Sequence, residues 1–135
     1  MAGYSPNPLL HKLGIKEGYR IQIYHEPDTY WDDLGPLPDG VEGVDEEGNA
    51  DIDFIHFFSK SADEMLERLP TLKSSIKKTG MIWISWPKKA SKVPTDMSDM
   101  VVRNAGLEAG LVDTKVCAVD EIWSGLKFMY RVKDR

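Results

Sequence analysis

Two short apolar runs constrain the fold of this chain more than any other feature of its sequence. Residues 53–58 (DFIHFF) and 81–86 (MIWISW) carry apolar side chains at both odd and even positions. Because alternate residues of a strand point to opposite faces, such runs are typical of central parallel strands covered by helices on both sides. Between them, Ser61 and Glu64 match a capping box that precedes a helical apolar stripe. The sequence therefore predicts an α/β protein.

The other predicted elements continue this alternation, which favours a mainly parallel sheet with right-handed crossovers. The short link at 120–122 predicts an antiparallel hairpin at the C-terminus. Pro70 is expected to kink or split the helix after Ser61, with Lys77 and Lys78 at its C-terminal end. The remaining predicted helices are Pro8–Leu13, 29–34 capped by Asp28, and a segment from Thr95 or Asp96 to 109 that buries Met97, Met100, Val101, Ala105 and Glu108; the remaining strands are 19–25, 41–44, 111–119 and 123–132.

Size and composition predict one domain over residues 1–135 and exclude several classes of protein. A net charge of −5 argues against general nucleic-acid binding, which needs a basic excess. Cys117 is the one cysteine, so no internal disulfide can form, and a buried, inert thiol is expected. The N-terminus lacks the pattern of a signal peptide, and no apolar run approaches the ~18 residues of a membrane span. We therefore expect a cytoplasmic protein.

The loop after the second apolar run is the leading candidate for a binding site. Ligands of open α/β sheets bind beyond the C-terminal ends of the strands. Lys88, Lys89 and Lys92 follow such an end and concentrate positive charge beside the start of the next predicted helix. Trp86 could stack on a flat ring, and Trp123, which begins the last strand, could reach the same rim. The alternative is that the lysines are solvated and Trp86 belongs to the core.

His25 and Glu26 form a second candidate, because a carboxylate can orient a histidine that acts as a general base. Adjacent residues of an extended strand point to opposite faces, so the two pair only if the strand has already ended. A structural role is favoured for both. His56 lies within an apolar strand and is expected to be a hydrogen-bonded core residue. The histidines and Cys117 show no zinc-site spacing, so no metal is expected.

Three runs of the sequence resemble a family of small uncharacterised bacterial proteins, catalogued as a domain of unknown function. They are residues 83–91 (WISWPKKAS), 116–121 (VCAVDE) and 123–128 (WSGLKF). The order of elements over residues 13–132 also resembles a trimmed class I methyltransferase. This second resemblance implies a Rossmann-like sheet with helices on both faces and an antiparallel C-terminal strand. It also implies S-adenosylmethionine as a cofactor.

The segment after the first strand departs from the methyltransferase pattern. Methyltransferases need glycines there, but no glycine occurs between Gly18 and Gly35, and Glu26 adds negative charge. Asp45 stands where an acidic residue could hold ribose hydroxyls, although a solvated turn is the favoured interpretation. We therefore expect a domain without a cofactor that binds a small anionic molecule or a protein partner at its basic rim. The alternatives are an S-adenosylmethionine-dependent methyltransferase with a degenerate loop, and a protein-interaction or regulatory module that could form a homodimer through strand 41–44 or the C-terminal hairpin.

Overall fold

The computed structural model of the protein describes residues 8–45 and 50–135. Strands and helices alternate through most of this part of the chain. The helices are α1 (Pro8–Leu13), α2 (Tyr30–Leu34), α3 (Ala62–Ser75) and α4 (Asp99–Glu108); the strands are β1 (Arg20–Tyr24), β2 (Glu42–Gly43), β3 (Ile52–Phe58), β4 (Ile76–Pro87), β5 (Leu111–Ala118) and β6 (Trp123–Tyr130); single 3₁₀ turns occupy Lys89–Ser91 and Val132–Asp134.

The six strands form one sheet in the order β2-β1-β3-β4-β6-β5. Strands β1 to β4 pair in parallel, whereas β6 is antiparallel to both of its neighbours, β4 and β5. This arrangement confirms the predicted Rossmann-like sheet with an antiparallel C-terminal hairpin. Because β2 lies on one side of β1 and β3 on the other, the chain reverses its direction of travel across the sheet between β1 and β3. None of the helices in the described ranges has the length and apolar character needed to cross a bilayer.

Helices cover both faces of the sheet, as the two apolar runs predict. On one face, Ile55 and Phe57 of β3 pack in a cluster with residues of α3 and α4. On the other face, Phe54 and Phe58 pack with residues of α1 and α2. Strand β3 is therefore buried on both faces, and a ligand could approach it beyond its ends.

His56 joins the two central strands to α2 through a buried chain of hydrogen bonds. Its side chain is fully buried, with Nδ1 2.9 Å from the Tyr30 hydroxyl and Nε2 2.8 Å from the Ser85 hydroxyl. The ring also stacks on Phe58 at a centroid distance of 4.2 Å. Burial lowers the pKa of His56 to about 3, so the imidazole is neutral at physiological pH. The structure confirms the expectation of a hydrogen-bonded core histidine. Cys117 is buried as well, and burial raises the pKa of its thiol.

The prediction for the helix after Ser61 was correct at its start and wrong at its end. Ser61 is the N-cap of α3, and its hydroxyl accepts a hydrogen bond from the Glu64 amide. The helix continues through Pro70, which is exposed to solvent. The helix is held in place because Leu69 and Leu72 are buried against the sheet. Lys77 and Lys78 belong to β4, which begins directly after the helix because Ile76 pairs with Ile52.

Two other predicted caps were also wrong. Helix α4 is capped by Ser98, because Thr95 donates to the carbonyl of Lys60 and Asp96 accepts from the Ala62 amide. Both side chains thus serve the start of α3 instead. The later start changes the buried face of α4: Met100 is 70% exposed, and Val102, Ala105 and Gly106 face the core. Thr29, rather than Asp28, occupies the N-cap of α2.

The depressed pKa of His56 makes stability depend on pH. The unfolded chain takes up a proton at this histidine near pH 6.5, whereas the folded chain does so only near pH 3. The unfolded state therefore binds more protons in this window. The free energy of unfolding should fall as pH drops from 6.5, by up to about 1.4 kcal/mol per pH unit from this group.

Urea denaturation of the wild type and His56→Gln between pH 4 and 7 measures this contribution. The variant should show a shallower decline of stability with falling pH, whatever its stability at pH 7. The exposed His11, replaced in His11→Gln, provides a matched control that should keep the wild-type slope. Equal slopes in wild type and His56→Gln would show that His56 is not held neutral in the folded protein.

Candidate functional site

A cleft opens at the point where the chain reverses direction across the sheet, beyond the ends of β1 and β3. Open α/β sheets place their ligand sites at such points. The cleft has a volume of about 570 Å³, within the usual range of small-molecule sites. Because β6 is antiparallel, its first residue lies at this same edge of the sheet, as predicted for Trp123. The lining residues are His25, Phe58, Ser59, Lys60, Ser61, Glu64 and Trp123.

His25 follows β1 directly and adopts the left-handed backbone conformation, with φ of 59°. Few residues other than glycine adopt this conformation, because it brings Cβ close to the backbone. The side chain is anchored by Nδ1, which lies 3.3 Å from the carbonyl oxygen of Phe58, and by ring contact with Phe57. The chain thus makes a glycine-like turn after its first strand while it directs an imidazole into the cleft.

Glu64 connects the polar groups of the cleft. The Ser59 hydroxyl donates to its Oε1 over 2.5 Å, and its Oε2 lies 3.8 Å from Nδ1 of His25. The capping-box prediction assigned this carboxylate to the Ser61 amide, but that amide donates to the Ser59 hydroxyl instead. Glu64 therefore faces the cleft. It was not predicted as a site residue, because the capping-box pattern already gave it a role at the start of the helix.

The order of these groups limits the chemistry that the cleft can perform. In a serine hydrolase, the histidine takes the proton of the serine. Here the Ser59 hydroxyl donates to the carboxylate of Glu64, which also lies beside His25, so the serine–histidine hydrogen bond of such a hydrolase does not form. The arrangement forms a polar wall suited to binding.

Two aromatic rings form the floor of the cleft. Phe58 is fully buried, and Trp123 is only 9% exposed. Their ring centroids lie 5.2 Å apart in an edge-to-face contact. Both rings line the cleft together with its polar groups, so the cleft offers both kinds of contact to one ligand.

Glu26 lies apart from His25, so the predicted His25–Glu26 pair does not form although the strand has ended. Its carboxylate accepts a hydrogen bond of 2.9 Å from the indole of Trp31. Together these side chains line a small cavity of about 90 Å³ between β1 and β2, with Asp45 at its rim. That volume is well below the ~300 Å³ at which small-molecule sites begin.

The predicted lysine rim divides into two parts. The Lys88 amine donates to the Asp120 carbonyl over 2.7 Å, and its backbone amide donates to the carbonyl of Ile122. Lys88 therefore fastens the loop to the turn between β5 and β6. Lys89 and Lys92 instead line a second cavity of about 460 Å³ with Trp86, which is 5% exposed. Within residues 8–45 and 50–135, no three His, Cys, Asp or Glu side chains are placed to share a metal ion.

The left-handed backbone at position 25 can be tested by comparing two truncations. His25→Ala and His25→Gly remove the same side-chain contacts, but only glycine adopts the observed φ without strain. Chemical denaturation should find His25→Gly more stable than His25→Ala by about 1 kcal/mol. Ala109, at φ −75°, is the control at which glycine should be the less stable residue. The same preference for alanine at position 25 would contradict the strained turn.

Solved structures with the same fold are SAM-dependent methyltransferases and a fibrillarin. A SAM-dependent methyltransferase from Aquifex aeolicus has a TM-score of 0.61 and 19% identity, covering 95% of this chain and 90% of its own. A TehB-like SAM-dependent methyltransferase from Corynebacterium glutamicum has a TM-score of 0.58 and 10% identity, covering 96% and 91%. Fibrillarin from Aeropyrum pernix, solved with natively bound S-adenosyl-L-methionine, has a TM-score of 0.59 and 12% identity; the match covers 87% of this chain and 69% of the fibrillarin chain. At these identities the likeness shows the fold alone.

Sequence comparison assigns the chain to a family. No curated protein matches the sequence. One family model matches residues 11–132, and its description reads "Protein of unknown function (DUF3052)". The match spans nearly the whole chain, including the three runs that suggested a family of this kind. The chain therefore belongs to the DUF3052 family, and its fold is that of the class I methyltransferases.

Proposed function

We propose that this protein binds a small molecule in the cleft between the ends of β1 and β3, which we call the switch-point cleft. The observation that carries the proposal is the convergence of His25, Ser59 and Glu64 above an aromatic floor in a space of about 570 Å³. Ligand sites usually combine apolar or aromatic side chains with a few convergent polar groups, and this cleft has both, with a larger polar share than is usual.

The polar groups favour a ligand that donates hydrogen bonds. Oε1 of Glu64 already accepts from Ser59, while Oε2 lies 3.8 Å from His25, beyond hydrogen-bond distance. The side chains of His25 and Glu64 are 50% and 42% exposed, so a ligand can reach them. An amine, amidine or amide group would satisfy Oε2, and a flat apolar part would cover Trp123. We therefore propose a flat molecule that carries such a donor.

S-adenosylmethionine fits the described residues poorly in the position that the methyltransferase fold implies. His25 and Glu26 stand where the close approach of the cofactor requires glycine. Glu26 and Trp31 leave about 90 Å³ between β1 and β2, too little for an adenosyl group. These observations support a ligand other than S-adenosylmethionine, and methyl transfer is the alternative that the shared fold keeps open for testing.

Benzamidine and benzoate provide a matched pair of flat probes of opposite charge for the switch-point cleft. In ¹⁵N-edited NMR titrations, benzamidine should shift the signals of His25, Ser59 and the Trp123 indole, and benzoate should bind less tightly. Glu64→Gln should weaken benzamidine binding about threefold to tenfold, because a charged hydrogen-bond acceptor is lost.

Glu67→Gln, an exposed site three residues further along α3, controls for the change in net charge. It should leave the dissociation constant of benzamidine unchanged. Shifts confined to residues outside the switch-point cleft, or equal weakening by both variants, would overturn the proposal.

Anion binding at the second cavity is a further candidate function. Lys89 and Lys92 flank one 3₁₀ turn and line this cavity together with Trp86. Ser98 and Asp99, at the start of α4, complete the same wall. Asp99 is itself engaged by Arg103, which reduces its repulsion of an anion. Two lysines, rather than the predicted three, would supply the positive charge.

Thermal denaturation with phosphate, sulfate, S-adenosylmethionine and S-adenosylhomocysteine tests the anion site and the methyltransferase alternative together. A ligand at 100 times its dissociation constant stabilises the fold by about 2.7 kcal/mol. Phosphate or sulfate should stabilise the wild type and Lys88→Ala, but not Lys89→Ala/Lys92→Ala. Equal stabilisation of all three proteins would remove the anion site. Stabilisation by the adenosyl compounds alone would favour the methyltransferase alternative.

A further inference from the structure

Four lysines from separate segments gather on the face of the sheet that α1 covers. Strand register places Lys115 of β5 directly opposite Lys127 of β6. The Lys115 amine donates over 2.9 Å to the carbonyl oxygen of Lys12, at the end of α1. Lys16 follows α1 and is close enough to Lys127 to act on its charge. We call Lys12, Lys16, Lys115 and Lys127 the lysine patch.

The lysine patch concentrates like charge at a cost to the fold. Like charges directly opposite each other on neighbouring strands are destabilising. Burial lowers the pKa of the partly buried Lys127, and Lys115 and Lys16 lower it further. Among the described residues, no carboxylate lies within ion-pair distance of these four amines. The lysine patch is therefore a region of local positive charge on a chain whose net charge is −5.

The free edge of the sheet runs beside the lysine patch. In the described part of the chain, β5 pairs only with β6, so its outer side carries unpaired backbone groups. Residues 114–116 are exposed, and the side chain of Val116 is 52% exposed. Alternate positions of this edge therefore offer a positive charge on one face and an apolar contact on the other.

We propose that the lysine patch and the β5 edge together dock an extended acidic segment of a partner protein. An extended peptide adds to a free edge through its backbone, and its alternate side chains select the surface. Acidic side chains on one face of that peptide would meet Lys115 and Lys127. Nucleic acid could not use the backbone groups of β5, and the net negative charge of the chain disfavours a long phosphate polymer.

Protection of the β5 edge against pairing with another sheet explains only part of the lysine patch. A lysine and a register irregularity on an edge strand hinder pairing between two sheets, and β5 has both, at Lys115 and between Asp113 and Lys115. That role does not require Lys12, Lys16 or Lys127, which lie on α1, after α1 and on an internal strand. The lysines of the patch line neither the switch-point cleft nor the second cavity, so a broad, flat ligand suits the surface better than a small anion.

Fluorescence anisotropy with a labelled eight-residue peptide of alternating Glu and Val tests the proposal on the intact protein. The peptide should bind the wild type, and Lys16→Glu/Lys115→Glu should weaken binding about tenfold or more through charge repulsion. Lys78→Glu/Lys133→Glu carries the same change in net charge at exposed positions outside the patch, and it should bind much as the wild type does. Thermal denaturation of both variants establishes that each is folded.

Four competitors separate backbone pairing with β5 from attraction of negative charge alone. An unlabelled copy of the peptide should displace the probe, whereas the same peptide with N-methylated backbone amides should displace it poorly because it cannot pair with β5. Four outcomes would overturn the proposal: no binding by the wild type, equal weakening in both double variants, equal competition by the N-methylated peptide, or stronger competition by duplex DNA or pyrophosphate.

Discussion

The burial of β3 and β4 on both faces is the constraint on which the rest of this structure depends. Phe54 and Phe58 of β3 require one layer of helices, and Ile55 and Phe57 require another. With both faces of these two strands covered, a ligand can reach them at their ends. The reversal between β1 and β3 then opens the sheet edge at one place, and that place is where the switch-point cleft lies.

After its first strand, this chain has His25 at a position where the methyltransferase pattern has glycine. A glycine after the first strand would let a cofactor approach the backbone, and this chain keeps the corresponding left-handed turn at His25. It thereby preserves the path of the backbone while an imidazole fills the space above it. Glu26 and Trp31 close the neighbouring crevice. One fold can carry sites of different chemistry.

Sequence analysis identified the elements whose patterns are set by burial, and it failed where tertiary contacts decide between equivalent local choices. The strands around 53–58 and 81–86, and the hairpin at the C-terminus, follow from periodicity and link length. Thr95, Asp96 and Ser98 are all good helix caps, and only their contacts with Lys60 and Ala62 determine which of them caps α4. The lysine patch could not be predicted, because its members come together only through strand register.

Some of the residues that line the switch-point cleft could be indicated from the sequence, and others could not. Position in an open sheet indicated that His25 and Trp123 lie at the same edge of the sheet, and both line the switch-point cleft. Lys88 was predicted as a ligand-binding residue, and its amine donates to a backbone carbonyl; consecutive lysines of a loop can take either role, and the sequence does not distinguish these roles. Glu64 was missed since its capping-box role was locally sufficient.

The buried chain from Tyr30 through His56 to Ser85 has a consequence for the core itself. A neutral imidazole has one donor nitrogen and one acceptor nitrogen, and a hydroxyl group can take either role. The hydrogen bonds at 2.9 and 2.8 Å can therefore run from tyrosine to serine or from serine to tyrosine. The two tautomers of His56 differ in which ring nitrogen carries the proton and in how the two hydroxyl groups are turned, so both directions of the chain fit the same positions of the heavy atoms.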